Sequence, residues 1–478
     1  MDRVQNSSTT SIAGAIDSVA DIRAARSAAA EKRRLTTVGG LAALSLDAMA
    51  SVAYGPEAIA IVLAGAGAHG LGFTLPVSAA IVALLGLLVV SYRQVIAAFP
   101  NGGGAYAVAK TYLGRRSSLI AAASLVIDYV LNVAVSVAAG TAALISAVPA
   151  TSPYALVIAL GVLAVITAIN LRGIATSARV FIVPTVVFVA SILAMIVAGL
   201  FAGGHVGAPA VPGHSLETVG ALLLLKAFAQ GCSALTGVEA IANAVPDFRE
   251  PRVQRAQRAE LILGLLLGVM MLGIAVLIDK FQVHPQVDVT VLAQVTEHSL
   301  GRGVGYYVVQ FATVILLALA ANTSFGGLPN LMRVVACDYY LPQRLRRRDG
   351  RGVYRDGVLI LAAASAVLLI VANANMNALV PLFAIGVFIG FTLAQAGMVR
   401  HWLVDRPAGW RRSVAVNGAG AVATGIATMV VLAMKFLDGA WLVVVVLVLL
   451  IALMSWVRRR HHRQNPGHRV FGSSQAVD

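Results

Sequence analysis

Twelve long apolar runs constrain this chain more than any other feature of its sequence. They cover residues 37–65, 75–99, 119–148, 154–171, 180–201, 216–246, 260–278, 304–328, 358–371, 378–398, 414–436 and 440–457. An α-helix needs about 20 apolar residues to cross the hydrocarbon core of a bilayer. The runs do not alternate apolar and polar residues, as the strands of an outer-membrane barrel would. The sequence therefore predicts an all-α polytopic membrane protein with 12 transmembrane helices.

The composition supports this class and excludes several others. Only 12% of the residues are charged, whereas a soluble globular domain is about one-quarter charged. The two cysteines, Cys232 and Cys337, cannot build a disulfide framework or a cysteine metal site. All nine histidines lie outside the predicted spans, so an intramembrane haem, zinc site or Ser-His pair has no histidine to use. An intramembrane enzyme is therefore the least favoured class.

The net charge of +15 reflects membrane topology rather than a nucleic-acid partner. Nearly all Lys and Arg residues lie in the two termini and in the even-numbered loops; Lys226, Lys280, Arg302 and Lys435 are among the exceptions. Short loops that carry Lys and Arg stay on the cytoplasmic side of a membrane. We therefore expect a multi-pass protein of the plasma (cytoplasmic) membrane with both termini in the cytosol.

The spans form one predicted domain that contains an internal repeat. We expect a transmembrane domain over residues 36–457, between a cytosolic tail at 1–35 and a basic cytosolic tail at 458–478. The segments SVAYGPEAIA (51–60) and SALTGVEAIA (233–242) are identical at six of ten positions and lie five spans apart. An odd number of spans makes them run in opposite directions, as in the inverted repeats of secondary transporters. The expected repeats cover about 37–201 and 216–398, followed by two extra helices at about 414–457.

Acidic residues inside the spans indicate a functional site. Asp47, Asp128 and Glu239 lie inside predicted spans, and the other acidic residues, Glu57 excepted, lie in tails, loops or span ends. A charge at the centre of a bilayer costs at least about 2.5 kcal/mol, so it is rarely kept without use. A structural ion pair is the alternative, but Lys226, the base well inside a span, could neutralise one carboxylate at most.

Each of these acids heads a stripe of polar residues at helical spacing. The predicted stripes are Asp47, Ser51 and Tyr54 in the first span, Asp128, Asn132 and Ser136 in the third, and Thr236, Glu239 and Asn243 in the sixth. Residues at such spacing share one face of a helix. Hydroxyls and amides often serve only to join neighbouring helices. Their convergence with acids on three spans favours an oxygen-lined site.

Helix breaks are predicted beside two of the stripes. Gly55 and Pro56 interrupt the first span, because proline lacks an amide donor and clashes with the preceding turn. Gly231 and Gly237 loosen the sixth span. Unwound backbone exposes carbonyl groups that can coordinate a cation, and it is tolerated only where it lines a cavity.

The chemistry of these breaks favours a hard cation as the substrate. An amino-acid substrate would need free backbone amides at a helix N-terminus to bind its carboxylate. Glu57 and Glu239 follow the two breaks and would repel that carboxylate unless they were protonated.

Five motifs carry a resemblance to a known family. They are SLDA at 45–48, VAYGPE at 52–57, NGGGAY at 101–106, DY at 128–129 and GCSALTGVEA at 231–240. With these motifs, the chain resembles the KimA-type potassium transporters of the amino acid–polyamine–organocation superfamily from about residue 36 to the last span. The resemblance implies a LeuT-like fold, with two inverted five-helix repeats plus two extra helices. It also implies proton-coupled potassium uptake by alternating access, with no cofactor and with the proton gradient as the driving force.

The resemblance also implies roles for individual residues. The family's ion-coordinating and coupling positions match Asp47, Tyr54, Asp128, Ser136, Thr236 and Glu239. We expect Glu239 to exchange the proton, because a carboxyl group in a dry site can titrate near neutral pH, and the other five residues to supply oxygens to the monovalent cation. Asn132 stands where the family usually has a threonine, and Phe383 stands where a tyrosine is expected, so Phe383 lacks a hydroxyl that would face the ion. The glycine-rich loop at 101–106 is expected to be a tight turn with no substrate role.

Two other functions stay open. The superfamily kinship and Phe383 favour an amino-acid or polyamine permease of the same fold, and a membrane sensor or scaffold is a third hypothesis. In the family, a sizeable C-terminal domain supports a homodimer, whereas only residues 458–478 follow the last span in this sequence. A homodimer and control by cyclic di-AMP are therefore held as open expectations.

Overall fold

The computed structural model describes residues 31, 34–173, 178–203 and 219–464. All regular elements in these residues are helices, accompanied by two isolated β-bridges. Eleven of these helices are long and apolar enough to cross a membrane. Numbered together with a shorter ninth helix, they are α1 (Leu46–Ala66), α2 (His69–Ala98), α3 (Arg115–Ala147), α4 (Pro149–Leu171), α5 (Val180–Phe201), α6 (Ala221–Asn243), α7 (Arg252–Phe281), α8 (Val304–Cys337), α9 (Arg355–Val371), α10 (Met376–Asp405), α11 (Trp410–Lys435) and α12 (Trp441–His461).

The all-α class is confirmed, and the count of twelve membrane helices is supported in part. The helix α9 has 17 residues, which corresponds to about 25 Å of helix against a hydrocarbon core of about 30 Å. The twelfth crossing, the inverted repeat and the cytosolic position of both termini stay predictions. Most of the predicted N-terminal tail (1–30, 32 and 33), residues 216–218 of the sixth span and residues 465–478 of the C-terminal tail lie outside the described residues.

Helices α1 and α3 form the interior of the molecule. They are the most enclosed of the long helices, whereas α4 and α12 are the most exposed. The difference follows from side-chain size, because small residues allow helices to approach each other closely. On α3, Gly140 lies against Leu317 of α8, and the ring of Tyr129 packs over Gly327 of the same helix. The enclosed α1 and α3 carry two of the three predicted intramembrane acids.

The helix α1 is broken where its Gly-Pro pair predicts. Its first helical turns, Leu46–Ala50, tighten into a 3₁₀ turn at Ser51–Ala53. Tyr54 then leaves the helical region, with φ −120° and ψ −19°. The second part, Gly55–Leu63, begins with Pro56 in its first turn, where the missing amide would have no partner in any case.

The helix α6 unwinds over a longer stretch. It is α-helical for eleven residues and then forms a 3₁₀ turn. Thr236 is extended, with φ −66° and ψ 153°, and Gly237 has a φ of +76°. A single helical turn, Ala240–Asn243, follows. The prediction that Thr236, Glu239 and Asn243 share one helical face is therefore wrong, because the chain between residues 236 and 239 is not helical.

A further break precedes α1 and was not predicted. The predicted first span starts with a separate helix, Thr37–Leu44, which ends at Ser45 (φ −98°, ψ 7°). The segment before it is joined to the end of the broken sixth span. Leu35 N donates to Asp247 O (2.8 Å), and Arg249 N donates to Leu35 O (2.9 Å). These two hydrogen bonds join the segment that precedes the first broken helix to the residues that follow α6.

Glu57 connects α1 to a short helix, Val291–Leu300, that lies between α7 and α8. Its Oε2 accepts a hydrogen bond from Val291 N at 2.9 Å, and its side chain is buried. The first amides of a helix have no partner inside the helix, and a carboxyl oxygen is a preferred acceptor for them. We grouped Glu57 with Glu239 as an acid that would repel a substrate carboxylate. The structure corrects this, because the Glu57 carboxyl group instead holds the start of the Val291–Leu300 helix.

We expect Glu57→Ala to loosen the Val291–Leu300 helix, because a buried amide that loses its acceptor costs about 1–3 kcal/mol. Hydrogen-exchange mass spectrometry of peptides covering residues 289–300 should show faster exchange, and Glu57→Gln, which keeps an acceptor oxygen, should show a smaller change. Glu297→Ala is the matched control, since this side chain of the same helix forms only an exposed pair with Arg302. Unchanged exchange in Glu57→Ala would contradict the structural role of this contact.

Candidate functional site at the paired helix breaks

The two breaks are in direct contact with each other. Ser51 Oγ lies 2.7 Å from the carbonyl oxygen of Ala234 in α6 and 2.7 Å from that of Ala48 in its own helix. Gly55 packs so closely on Ala234 that an added Cβ would lie 2.6 Å from the Cβ of that residue. The matched segments 51–60 and 233–242 therefore meet at the centre of the molecule. The side chains at this contact are small, because it is formed by Ser51, Gly55 and Ala234.

Gly237 fixes how α6 approaches α1. Its φ of +76° lies in the left-handed region, which L side chains rarely adopt. A Cβ at this position would also lie 2.7 Å from Ala48 N and 2.7 Å from Asp47 Oδ2. Glycine is the only residue that satisfies both constraints. It allows the unwound segment that carries Thr236 and Glu239 to lie beside the first turn of α1.

Three carboxyl groups from three helices gather at this junction. Asp47 and Glu239 are buried, and Asp128 is partly buried. Asp47 interacts electrostatically with Glu239, and Asp128 interacts with both. Within the described parts of the chain, no salt bridge joins any of the three carboxyl groups to a basic residue. This includes Lys226, the base that could neutralise one of them. The predicted alternative of a structural ion pair therefore has no support here.

Several oxygen atoms in this cluster lack hydrogen-bond donors. Oδ1 of Asp47 and Oδ1 of Asp128 are both buried and accept no hydrogen bond. The Tyr54 hydroxyl lies 3.4 Å from Thr236 Oγ1 and interacts electrostatically with both aspartates. Thr236 in turn donates to the carbonyl oxygen of Ser233 (3.2 Å). Carboxylate, hydroxyl and carbonyl oxygens that converge without donors are the ligands that a dehydrated hard cation prefers.

The other polar residues of the α3 stripe bind each other and α8. Ser136 Oγ donates to Asn132 Oδ1 (3.0 Å), and Asn132 Nδ2 donates to Ser324 Oγ of α8 (2.9 Å). The bond between residues 132 and 136 confirms that these two members of the predicted stripe share one face of α3. The Ser136 hydrogen and one amide hydrogen of Asn132 are thus used in a chain of hydrogen bonds between α3 and α8, and the acceptor lone pairs of the Ser136 hydroxyl remain.

Phe383 gives the site no oxygen. It is fully buried on α10, which packs against the 3₁₀ turn Cys232–Leu235 of α6. One turn further along α10, Gly386 lies against Ser124 and Asp128 of α3. The helix α10 therefore borders the cluster through small and apolar residues. Its contribution is to exclude water, and no ligand comes from Phe383.

Two further residues near the cluster are not predicted from the sequence. Tyr92 of α2 donates its hydroxyl to Glu239 Oε2 (3.3 Å) and is buried. Glu260 was placed at the start of the seventh span and counted with the span ends. The helix α7 in fact begins at Arg252, so Glu260 lies about two turns inside it and is fully buried. If the basic residues before the apolar run at 260–278 are assigned to the same helix, the sequence predicts that Glu260 lies inside a span.

The glycine-rich loop at 101–106 is a turn, as predicted. Gly103 N donates to the carbonyl oxygen of Ala242 (3.2 Å), in the single helical turn that ends α6. The loop therefore holds the last helical turn of α6 through a backbone hydrogen bond. None of its described hydrogen bonds reaches Asp47, Asp128 or Glu239.

We expect Gly237→Ala to be strongly destabilising. A left-handed conformation costs an L residue about 1–2 kcal/mol, and an added methyl group in a tightly packed place costs about 1–3 kcal/mol more. Gly86→Ala is the matched control, because a Cβ at that position of α2 would meet no atom within 4 Å. Thermal unfolding of both purified variants in detergent measures the difference. An unchanged midpoint for Gly237→Ala would show that the break does not have the described geometry.

Comparisons with known proteins identify the family of this chain. A family model described as amino acid permease matches residues 40–457. The chain is 40% identical over 441 residues to the potassium transporter KimA of Bacillus subtilis (strain 168), a match that covers 91% of this chain and 72% of that protein. It is 22% identical over 346 residues to the low-affinity putrescine importer PlaP of Escherichia coli (strain K12), which covers 68% of this chain and 73% of that protein. The family resemblance predicted from the sequence motifs is confirmed.

Proposed function

We propose that this chain, which belongs to the amino acid permease family and is a transporter rather than an enzyme, carries potassium ions across a membrane together with protons. The observation that carries the proposal is the cluster of Asp47, Asp128 and Glu239, which has no basic partner in the described residues. The similarity to a potassium transporter over most of the chain supports the choice of ion.

The charge of the cluster gives a reason for coupling the ion to a proton. Two like charges 5 Å apart repel each other by about 3 kcal/mol at an effective dielectric constant of 20. Three carboxylates in an enclosed site therefore need to be neutralised by cations and protons. When one site binds both, each affects the affinity for the other by the same factor. A cluster loaded with potassium and protons carries the least net charge, and it is the form that can cross most easily between the two access states.

We assign the ion ligands by their free oxygens. Asp47 and Asp128 would each supply an unpartnered carboxyl oxygen. Tyr54 and Thr236 would supply hydroxyl oxygens at the two breaks, and Ser136 a hydroxyl whose hydrogen is donated to its neighbour. Carbonyl groups of the unwound backbone complete such a shell in the usual chemistry of cation sites.

Glu239 is the residue that would exchange the proton. It follows the break in α6, interacts electrostatically with Asp47, and receives a hydrogen bond from Tyr92. Its carboxyl group is therefore adjacent to the ion cluster on one side and to a separate hydroxyl group on the other. This position allows its protonation to respond to occupation of the ion site.

Alternating access is part of the proposal, with the unwound segments of α1 and α6 as the joints. Residues near the breaks, such as Tyr54 and Gly237, have backbone angles outside the helical range. Helix segments on the two sides of each break can then move separately while the junction stays closed around the ion. The proton gradient supplies the driving force. The homodimer and control by cyclic di-AMP remain expectations of the family resemblance.

We expect the wild-type chain to restore growth at low potassium in cells that lack their own potassium uptake systems. Glu239→Gln and Asp128→Asn should fail to restore growth, because they remove a proton site and an ion ligand. Glu297→Gln, which changes an exposed acid that pairs with Arg302, is the control and should grow like the wild type. If the wild type rescues growth no better than Glu239→Gln, both the ion and the role of Glu239 are wrong.

Proton coupling has a quantitative test in proteoliposomes of the purified protein. For each proton that accompanies one ion, an inward gradient of one pH unit should raise the accumulation of rubidium about tenfold at equilibrium. A protonophore should abolish this effect. Rubidium accumulation that ignores the pH gradient at zero membrane potential would contradict coupling, while leaving potassium as the substrate.

Import of a polyamine is the second candidate function. The similarity to a putrescine importer and the three unpaired acids favour it, because a dication would also neutralise the cluster. The apolar Phe383, fully buried on α10, could pack against a hydrocarbon chain. Labelled putrescine and rubidium should be compared in the same proteoliposomes. Saturable uptake of putrescine without uptake of rubidium would select this function over potassium transport.

A further inference from the structure

Glu260 is a buried acid that the ion cluster does not use. It lies on α7 with its side chain fully enclosed. Neither Oε1 nor Oε2 has a hydrogen-bond partner, and in the described parts of the chain no salt bridge reaches it. Burial of an ionised carboxylate without a partner is very costly, whereas the neutral acid is far cheaper to bury. The Glu260 side chain is therefore compatible with this structure as a protonated group.

The surroundings of Glu260 place it at the interface of α7 and α2. Its neighbours Ala259 and Leu263 on α7 are fully buried. On one side, Gln257 Nε2 donates to the carbonyl oxygen of Arg93 (2.8 Å). On the other, Gly264 packs against Val89 of α2. Glu260 lies between these two contacts along α7, so it is level with the part of α2 that carries Tyr92.

Tyr92 connects Glu260 with the proposed proton site. Its buried hydroxyl donates to Glu239 Oε2 (3.3 Å), and its side chain interacts electrostatically with both Glu239 and Glu260. The ring of Tyr92 is held in place by an edge-on contact with Phe391 of α10, at 5.7 Å between ring centroids. Tyr92 therefore donates a hydrogen bond to the carboxyl group of Glu239 and interacts electrostatically with that of Glu260, which comes from a different helix.

Other titratable groups come from the elements packed against α7. They are Tyr92 and Arg93 of α2, Asp47 and Glu57 of α1, Asp247 after α6, and Glu297 and His298 of the Val291–Leu300 helix. Glu57 is held by Val291 N, and Glu297 pairs with Arg302 at the far end of α7. Tyr92 is the group for which the structure shows an interaction with Glu260.

We propose that Glu260 is a second proton-carrying residue of the transport cycle and that Tyr92 passes protons between Glu260 and Glu239. The proposal rests on the proton-coupled function argued above. For the transfer, the Glu260 carboxyl group first turns toward Tyr92 Oη, because neither of its oxygens is hydrogen-bonded in this structure. Its hydrogen then moves to Tyr92 Oη while the original Tyr92 hydrogen moves to Glu239 Oε2. Tyr92 is unchanged, Glu260 becomes a carboxylate, and Glu239 becomes a neutral acid. The reverse transfer restores the first state.

The position of Glu260 gives this transfer a direction. It lies about two turns from the start of α7, next to the segment that contains Arg249, Arg252, Arg255 and Arg258. This basic segment is predicted to be cytoplasmic. Glu260 therefore lies between Glu239 and the predicted cytoplasmic end of the helix. A proton that leaves Glu239 during import would reach the cytoplasm through Tyr92 and Glu260.

The test separates ion binding from proton coupling in proteoliposomes. Exchange of external rubidium for internal potassium at equal concentrations needs the ion site and no net proton movement. Net uptake of rubidium that is driven by a pH gradient needs both. We expect Glu260→Gln to keep exchange within about twofold of wild type and to lose gradient-driven uptake by about tenfold or more, as for the loss of a coupling free energy of 1–3 kcal/mol. Glu260→Asp should restore part of the gradient-driven uptake.

Two further variants make the result unambiguous. Tyr92→Phe removes only the hydroxyl group and should show the same loss of gradient-driven uptake with exchange retained. Glu250→Gln is the matched control, since this glutamate lies just before α7 and is exposed.

If Glu260→Gln and Tyr92→Phe keep the wild-type dependence on the pH gradient, Glu260 is only a buried structural group and the proposal is wrong. If the wild type itself shows exchange without any effect of the pH gradient, the proton-coupled function fails instead. Should Glu260→Gln fail to fold, as judged by gel filtration, Tyr92→Phe alone decides between the two outcomes.

Discussion

Among the residues that the structure describes, the carboxyl groups of Asp47, Asp128 and Glu239 have no basic partner, and the rest of the structure depends on this constraint. In a soluble protein, water would solvate such a cluster, but a membrane interior offers no water to unpaired charges. The cluster is enclosed by α1, α3, α6 and α10, and two of its oxygens accept no hydrogen bond. A site of this kind is incomplete by itself, because it lacks positive charge. Cations and protons are the species that would complete it, which connects the architecture directly to transport.

The enclosure of the acids depends on how closely the two breaks pack. The Ser51 hydroxyl of α1 bonds to the carbonyl oxygen of Ala234 in α6, and Gly237 allows α6 to lie against the backbone of α1 at Ala48. Each contact needs a small residue, and each lies at or beside an unwound turn whose carbonyl groups would have no partner in a lipid-facing position. Glu57 fixes the other part of α1 by binding the amide of Val291. The broken helix is thus held on both sides of its break, while the break itself keeps irregular backbone.

Much of this arrangement could be predicted from local sequence. Gly55 and Pro56 predict the break in α1, and the spacing of Asp128, Asn132 and Ser136 predicts their common face on the regular helix α3. The same spacing rule failed for Thr236 and Asn243, because the rule assumes a continuous helix and Gly237 ends it. It also missed the break at Ser45, where neither glycine nor proline is present.

Other features depend on tertiary contacts that a single chain segment does not encode. The role of Glu57 is set by Val291, which is more than two hundred residues away along the chain. Glu260 follows four arginines, which masked the true start of α7, and its burial comes from packing against α2. Such residues can be recognised only once the neighbouring helix is known.

The positions of the four enclosed or partly buried acids near Tyr92 and the breaks indicate how ion and proton are coupled in the proposed cycle without sharing ligands. Asp47 and Asp128 carry the unpartnered oxygens that suit a cation, whereas Glu260 comes from α7 and has no ion ligand among its described contacts. Glu239 is linked to both groups, because it interacts electrostatically with Asp47 and accepts a hydrogen bond from Tyr92. A cation at the aspartates and a proton on Glu239 each reduce the negative charge of the cluster, so the form that holds both carries the least net charge and crosses most easily between the two access states. In this scheme Glu239 converts occupation of the ion site into movement of a proton, and the separation of the two pathways prevents the ion from following the proton through the α2–α7 interface.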